Sequence, residues 1–325
     1  MILGIVGSSR NSNQMELDQL PAVLRDRYPG LKQLRRAEGE AFVASVLIRV
    51  RNERKELPRF IESLRRQTIF PALEVIVLDS ESTDGTLLAL DGLNCTIYQI
   101  PHGEFSFGQS CNLLMALANS DVCFFFSGHV YIQSSIALEA ILSDITMGQA
   151  GAGYFRQVPN EHCGASVYDR VFLAHAFPPD SLRKDGSLAR FSNAASVLCR
   201  QAWRNLWFPD VIANEDALWA LTFQSRRLGT IKYYGEYLVE HSHNESAEQV
   251  ERRVFINAVG RNARWGQVAR AAFKFPGMVF LILHRGATWR DAIGFSWAHV
   301  RAYFRCALLS GKDVSAQSRG SHEVA

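Results

Sequence analysis

Five short polar groups carry the side chains in this 325-residue chain that can do chemistry. Arg51-Asn52-Glu53 and Asp79-Ser80-Glu81-Ser82, with Asp84 two residues on, bring carboxylates, an amide and hydroxyls together. A carboxylate in such a group can accept from an imide N–H or from sugar hydroxyls. Ser127-Gly128-His129 ends the apolar run of FFFSGHVYIQ (124–133) on an imidazole that can be neutral or protonated near pH 7. Asn214-Glu215-Asp216 offers two adjacent carboxylates. His241-Ser242-His243 spaces two imidazoles at i and i+2, one side of an extended chain, as a pair of metal ligands requires. Each group alone also has an ordinary explanation, because Asn, Asp, Ser and Gly are common turn and N-cap residues.

The elements that must position these groups follow from the apolar pattern. SVLIRV (45–50), EVIVLD (74–79), TIYQI (96–100) and DVCFFF (121–126) read as strands, the second nearly continuous as in a parallel sheet covered on both faces. Between them, Leu57, Phe60, Ile61 and Leu64 form a helical stripe, and helices are expected at 85–91 and over CNLLMALAN (111–119). The alternation predicts an open α/β sheet. Ligands of such sheets collect at the carboxyl ends of the strands. Three polar groups follow the first, second and fourth strands, so one sheet edge should carry a pocket.

The hydrophobic fraction of 47% and charged fraction of 21% suit a globular chain of one large domain or two smaller ones. Three parts are expected: a lead-in (1–40), an α/β domain (41–248) and a basic helical extension (249–325). Beyond residue 248 there are twelve Lys/Arg against four Asp/Glu, a net +8, so the first 248 residues carry −5 of the overall +3. Six scattered cysteines without a C-x-x-C pair read as free thiols in a reducing compartment. MILGIVGSSRNSN lacks the pattern of a signal peptide, and Gly4-Ile5-Val6-Gly7 lacks the rest of a dinucleotide fingerprint. No uninterrupted apolar run nears the ~18 residues of a membrane span.

SVLIRVRNE, LRRQT and EVIVLDSESTDGT resemble the opening of the family 2 glycosyltransferases, which have the GT-A fold of nucleotide-diphospho-sugar transferases, an open mixed sheet flanked by helices. HGEFSFGQSCN (102–112), with Phe105, Gly108 and Asn112, resembles the rhamnosyltransferase-like branch. So does 191–246, with Ser192-Asn193, Arg200, Trp203, Phe208-Pro209, Glu215-Asp216, Trp219 and His241-Ser242-His243. The resemblance implies a donor pocket of Arg51, Asn52, Glu53, Asp79, Ser82, Asp84, Ser127 and Gly128. Asn112 joins it as a phosphate or sugar ligand, or else serves as a helix N-cap. Arg49 stands where the family has a small residue or Pro. Asp216 would be the general base, with Glu215 beside it, and the same pair also suits an acidic first helical turn. Inversion at the anomeric carbon follows from one base and a diphosphate leaving group.

Ser127-Gly128-His129 falls where the family carries D-x-D, whose second Asp binds Mg²⁺ or Mn²⁺. His129 therefore ligates a metal with His241 or His243, contacts the diphosphate itself, or is structural. The expected cofactor is a divalent Mn or Mg ion. The expected partners are a dTDP- or UDP-sugar donor and a glycan or lipid-linked acceptor, with no nucleic acid. Arg226 and Arg227 either meet the diphosphate or the acceptor, or form a solvated C-terminal helix face. The rival classes are another nucleotide-sugar-binding enzyme, such as a nucleotidyltransferase, and a non-catalytic assembly subunit that has lost its metal site.

In the tail, Trp289, Ile293, Trp297, Val300, Phe304 and Leu308 form one helical stripe beside Arg290, Arg301 and Arg305. It suits either a peripheral membrane contact through 265–310 or packing on the core. The expected location is cytoplasmic, at the inner face of the membrane.

Overall fold

The computed structural model describes residues 17, 19–39, 41–179, 191–260 and 265–309; Gly4 to Gly7 lie outside them. Helix α1 (Ala22–Arg27) and strand β1 (Lys32–Arg35) come first. Leu24 and Tyr28 are buried in the main core, and β1 pairs antiparallel with β4 (Thr96–Gln99), so this stretch of the lead-in is built into the sheet. Strands β2 (Ala44–Val50), β3 (Leu73–Asp79) and β5 (Val122–Ser127) lie where the apolar runs place them. Helix α2 (Leu57–Arg65) buries Leu57, Phe60, Ile61 and Leu64, the expected stripe.

Two helices differ from expectation. The segment after β3 is a 3₁₀ turn, Thr86–Leu90, entered through Gly85 at φ +88°, a left-handed conformation open to glycine. Helix α3 spans Phe107–Leu117 and so begins four residues before CNLLMALAN.

The chain continues through β6 (Tyr131–Ile132), α4 (Ala137–Thr146), β7 (Ala152–Val158), α5 (Val167–Ala176), β8 (Ala195–Cys199), α6 (Arg200–Asn205), α7 (Glu215–Ser225) and β9 (Ile231–Glu240). The sheet runs β1-β4-β3-β2-β5-β8-β7-β9-β6. Strands β2 to β5 are mutually parallel, and β8 runs antiparallel between β5 and β7. The order reverses at β2, which has β3 on one side and β5 on the other. That switch point is where an open sheet leaves a crevice. One apolar cluster fills each face of the sheet.

The extension is three helices: α8 (Ala247–Gly260), α9 (Trp265–His284) and α10 (Trp289–Leu308). They share a third cluster with Tyr168 of α5, built on Val250, Val254, Ile282, Ala292, Phe295, Ala298 and Ala302. The face α10 turns inward is thus Ala292, Phe295 and Ala302, and the aromatic stripe is not it. Of that stripe only Val300 is buried; Trp289, Ile293, Trp297, Phe304 and Leu308 are exposed. Trp297 meets Phe275 and Phe304 meets Trp265, both on α9, and α9 itself exposes Phe273 (87%), Phe280 and Leu281. Arg301 and Arg305 pair with Glu251 of α8. Helix α9 is long and apolar enough to cross a membrane by length and composition, although Arg270 and Lys274 break its apolar run.

Candidate active site

Register brings the polar groups to one edge. Val50 lies opposite Asp79, Arg49 opposite Ser127, and Asp79 opposite Gln99. Asp79 is fully buried. Its carboxylate accepts from Ser82 N at 3.2 Å, from Ser82 Oγ at 2.5 Å and from Gln99 Nε2 at 2.8 Å. Asn52, at φ +56°, binds the same loop, donating from its backbone to Ser82 Oγ (3.0 Å) and accepting from Thr83 N (2.9 Å). Asn tolerates this left-handed conformation better than most residues. Asp84 accepts from Arg54 N and from Thr86 N and Oγ1. Burial alone would raise its pKa, but these hydrogen bonds hold the carboxyl below its ordinary value. Arg51 lies at the end of β2 beside Asn52. Gln99 is the partner the sequence reading passed over. It ends the one strand to which no polar group had been assigned.

Across the switch point, His129 Nδ1 lies 2.7 Å from Glu53 Oε1. Gly128 makes this approach feasible, because a Cβ there would stand 3.0 Å from Val50 Cγ1 and 3.4 Å from Glu53 Cγ. Glu53 fixes Nδ1 as the protonated nitrogen, so Nε2 presents its lone pair. That Nε2 is 3.0 Å from His241 Nε2, and His241 Nδ1 is in turn 2.8 Å from Gln157 Oε1. His243 completes the group, its ring centroid 4.6 Å from that of His241, and one nitrogen from each of the three rings lies within 4.8 Å of the others. His241 and His243 stand just past the end of β9, where the chain leaves the sheet. Ser242 Oγ anchors the bend by accepting from Asn160 N at 2.9 Å. Burial, then the imidazoles of His243 and His129, hold the His241 pKa well below its usual range.

Two lone pairs facing at 3.0 Å repel unless a proton or cation lies between them. Metal–nitrogen bonds of about 2.0–2.1 Å at a right angle place two nitrogens about 3 Å apart. Glu53 and Gln157 behind the rings are the outer partners that ligating imidazoles require. The donor set therefore fits a divalent cation of the manganese-to-zinc group better than magnesium, which favours oxygen ligands.

The carboxylate pair reaches the same edge from the other strand direction. Because β8 is antiparallel to β5, its beginning faces the site: Ala195 lies opposite Phe126, and Ser127 N donates to Ala194 O. Two residues before β8, Asn193 N donates to Asp216 Oδ2 at 3.1 Å, while Asp216 Oδ1 accepts from Ala217 N at 2.7 Å. Asn214, at φ +61°, starts α7 without a side-chain cap. Glu215 is buried beside Arg49, whose Nη1 is 3.6 Å from its Oε1 and also donates to Phe107 O. The Glu215 pKa is pushed up to about 7, by burial first and then by the Asp216 charge, with Arg49 opposing. Asp216 is likewise raised, by burial above all. Arg49, noticed in the sequence only as a departure from the family pattern, is thus the counter-ion of this pair. Cys111, fully buried, receives Asn193 Nδ2 at 3.4 Å, and burial pushes its thiol up to about 12.

Asn112 departs from both readings of it. It lies inside α3 rather than at the start, and it is fully buried. Its Oδ1 accepts from Trp203 Nε1 (3.0 Å) and Phe208 N (2.9 Å), and its Nδ2 donates to Phe208 O (3.0 Å). Its amide is consumed in holding the 203–208 segment, which leaves nothing for a phosphate. Arg226 and Arg227 are exposed at the far end of α7, about 15 Å along the helix from Asp216. They are the solvated helix end.

Residues 45–203 match the family described as glycosyl transferase family 2. The chain is 27% identical over 213 residues to the O-antigen chain rhamnosyltransferase RfbN of Salmonella typhimurium, covering 62% of this chain and 67% of that one. It is 31% identical over 121 residues to a 4,4'-diaponeurosporenoate glycosyltransferase of Staphylococcus haemolyticus, of which it spans about a third (32%). Among solved structures, the fold is similar to the mannosyltransferase PcManGT from Pyrobaculum calidifontis in complex with GDP-Man and Mn2+ (TM-score 0.50, 13% identity, 89% of this chain and 83% of that one). It is also similar to S. aureus TarS (0.50, 17%, 86% and 55%). Strand order, switch point and sequence agree: the chain has the GT-A fold and carries, over residues 45–203, a domain of glycosyl transferase family 2.

Proposed function

We propose that the protein is an inverting glycosyltransferase. It moves a hexosyl or deoxyhexosyl group from a dTDP- or UDP-linked donor to a hydroxyl of a glycan or lipid-linked acceptor in surface polysaccharide synthesis. The observation that carries this reading is the Glu215-Asp216 pair, Glu215 buried and Asp216 half-buried, both raised in pKa and tied through Asn193 to the edge that holds Asp79. A carboxylate with a raised pKa is a stronger proton acceptor than an ordinary one. Asp216 takes the acceptor proton. Glu215, paired with Arg49, sets the local charge. Asn52, Glu53, Asp79, Ser82 and Asp84 shape the nucleoside pocket, with Arg51, Ser127 and Gly128 at its rim. His129, His241 and His243 hold the divalent cation, which when bound neutralises charge on the departing diphosphate.

The exposed aromatic side of α9 and α10, with Arg270, Lys274, Arg285 and Arg290 and the single acid Asp291, supports a peripheral seat on anionic lipid at the cytoplasmic face. The test of the reaction is turnover of Asp216→Asn on a nucleotide-sugar panel, with and without chelator. The expected result is a loss of about 10²–10⁴-fold in kcat with donor binding retained, and a product of inverted anomeric configuration by NMR. Wild-type turnover, or retention of configuration, overturns the assignment. Donor binding without turnover in the wild-type chain would favour a non-catalytic subunit, the reading that the replaced D-x-D aspartates support.

A further inference from the structure

A cavity of about 180 Å³ lies between the end of β7, helix α5 and the end of α9. Arg156, Gln157, Glu161, Arg170, Phe177 and Arg285 contribute to its wall. Three guanidinium groups face one carboxylate there. Glu161 is taken by Arg170, whose Nε donates to it at 3.0 Å and whose Nη2 makes a second contact. Among the described residues no other carboxylate lines the cavity. Two buried donors of wall residues, Arg156 Nε and Gln157 Nε2, have no hydrogen-bond partner among the described residues. Gln157 is only 2% exposed, and its Oε1 is turned to His241, so the orphaned amide nitrogen points away from the imidazoles. Buried donors left unpaired are rare and call for a partner.

We propose that this cavity is a subsite for a phosphoryl anion, the phosphate or diphosphate borne by the acceptor. Guanidinium forks and an amide N–H match phosphoryl oxygens in geometry and charge. The strand order separates the cavity from the nucleoside pocket. The nucleoside groups sit at β2, β3 and β4, whereas β7 lies beyond β5 and β8 on the other side of the switch point. Arg285 closes the apolar helix α9, so the cavity opens at the root of the exposed face, where a lipid-borne phosphate would arrive. Gln157 is shared by His241 and the cavity, so a cation held by the imidazoles fixes the orientation in which its amide N–H meets the anion. That the anion belongs to the acceptor rests on the proposed reaction; the binding of a phosphoryl group does not.

The experiment is calorimetry on the full chain with UDP and dTDP in excess to fill the donor site. Inorganic diphosphate is titrated in one arm and a water-soluble short-chain prenyl diphosphate in the other. Binding in either arm that weakens about tenfold or more in both Arg285→Gln and Arg156→Gln, with nucleotide binding unchanged and Arg226→Gln behaving as wild type, supports the subsite. Tighter binding of the prenyl compound assigns it to a lipid carrier; equal binding assigns it to a soluble phosphoryl group. Absence of binding in both arms, or equal weakening by Arg226→Gln, overturns it. Loss of turnover in Asp216→Asn with diphosphate binding intact keeps the two proposals separately testable.

Discussion

Gly108 sits in the first turn of α3, where that helix passes Pro209 and Glu215. A Cβ at this position would stand 3.0 Å from the Pro209 carbonyl carbon, closer still to its oxygen, and 3.4 Å from Glu215 Cβ. Non-bonded carbons rest about 3.5–4.0 Å apart, so Gly108→Ala requires a shift of about 1 Å. Neither side yields easily. One contact is main chain, and the adjacent Phe208 is pinned through both its N–H and its carbonyl to Asn112, one turn further along α3. The displacement therefore passes into 209–216 and moves Asp216. Overpacking of this kind costs about 1–3 kcal/mol, and a misplacement of about 1 Å in a reacting group costs about 10²-fold in rate. Thermal unfolding and steady-state turnover should show Tm lower by a few degrees and kcat lower by about two orders of magnitude, with nucleotide affinity unchanged. A variant with wild-type kcat would refute the coupling between α3 and the carboxylate pair.

Glu53→Gln removes the carboxylate behind His129 and should weaken cation binding by about 10–100-fold, read by competition with a chromophoric chelator; unchanged affinity would exclude His129 as a ligand. Glu215 is raised in the folded chain from 4.5 to about 7. Its neutral form therefore stabilises the fold fully below pH 4.5, and that contribution, about 3 kcal/mol, is lost as pH rises to 7. The urea midpoint of Glu215→Gln should fall less than that of the wild type between these values, and parallel falls would contradict the shift. Vesicles rich in anionic lipid should sediment the wild-type chain at low salt and release Trp289→Ser/Trp297→Ser; equal binding by neutral vesicles would remove the cationic contribution.

The parallel half of the fold was legible because β2, β3 and β5 are buried on both faces, so each carries a nearly continuous apolar run. The nucleoside side of the site followed, since polar residues after such strands have only one edge to occupy. The antiparallel β8 was not legible. ASVLC is too short for a period, and its beginning rather than its end faces the site, which reverses the rule used for the others. Asn112 was misplaced by four residues of helix: Phe107 to Ser110 carry no helical stripe, and Ser106, the residue before the helix, looked like loop. The convergence of His129 with His241 and His243 depends on a bend after β9 held by Ser242 and Asn160, a contact between positions 82 residues apart. Arg49 could be seen as unusual, but its partner lies 166 positions away, and only packing reveals the pair.

Cys111 has a practical consequence. Its thiol sits against Asn193 between α3 and the carboxylate pair, and the reactive species of any cysteine is the thiolate. With the pKa near 12 and no exposure, alkylation must wait until α3 parts from α7. The labelling rate of this one thiol is therefore a clock for the opening of the active centre, independent of catalysis. Slowing of that clock by nucleotide or by cation would report how tightly each ligand locks the two helices together.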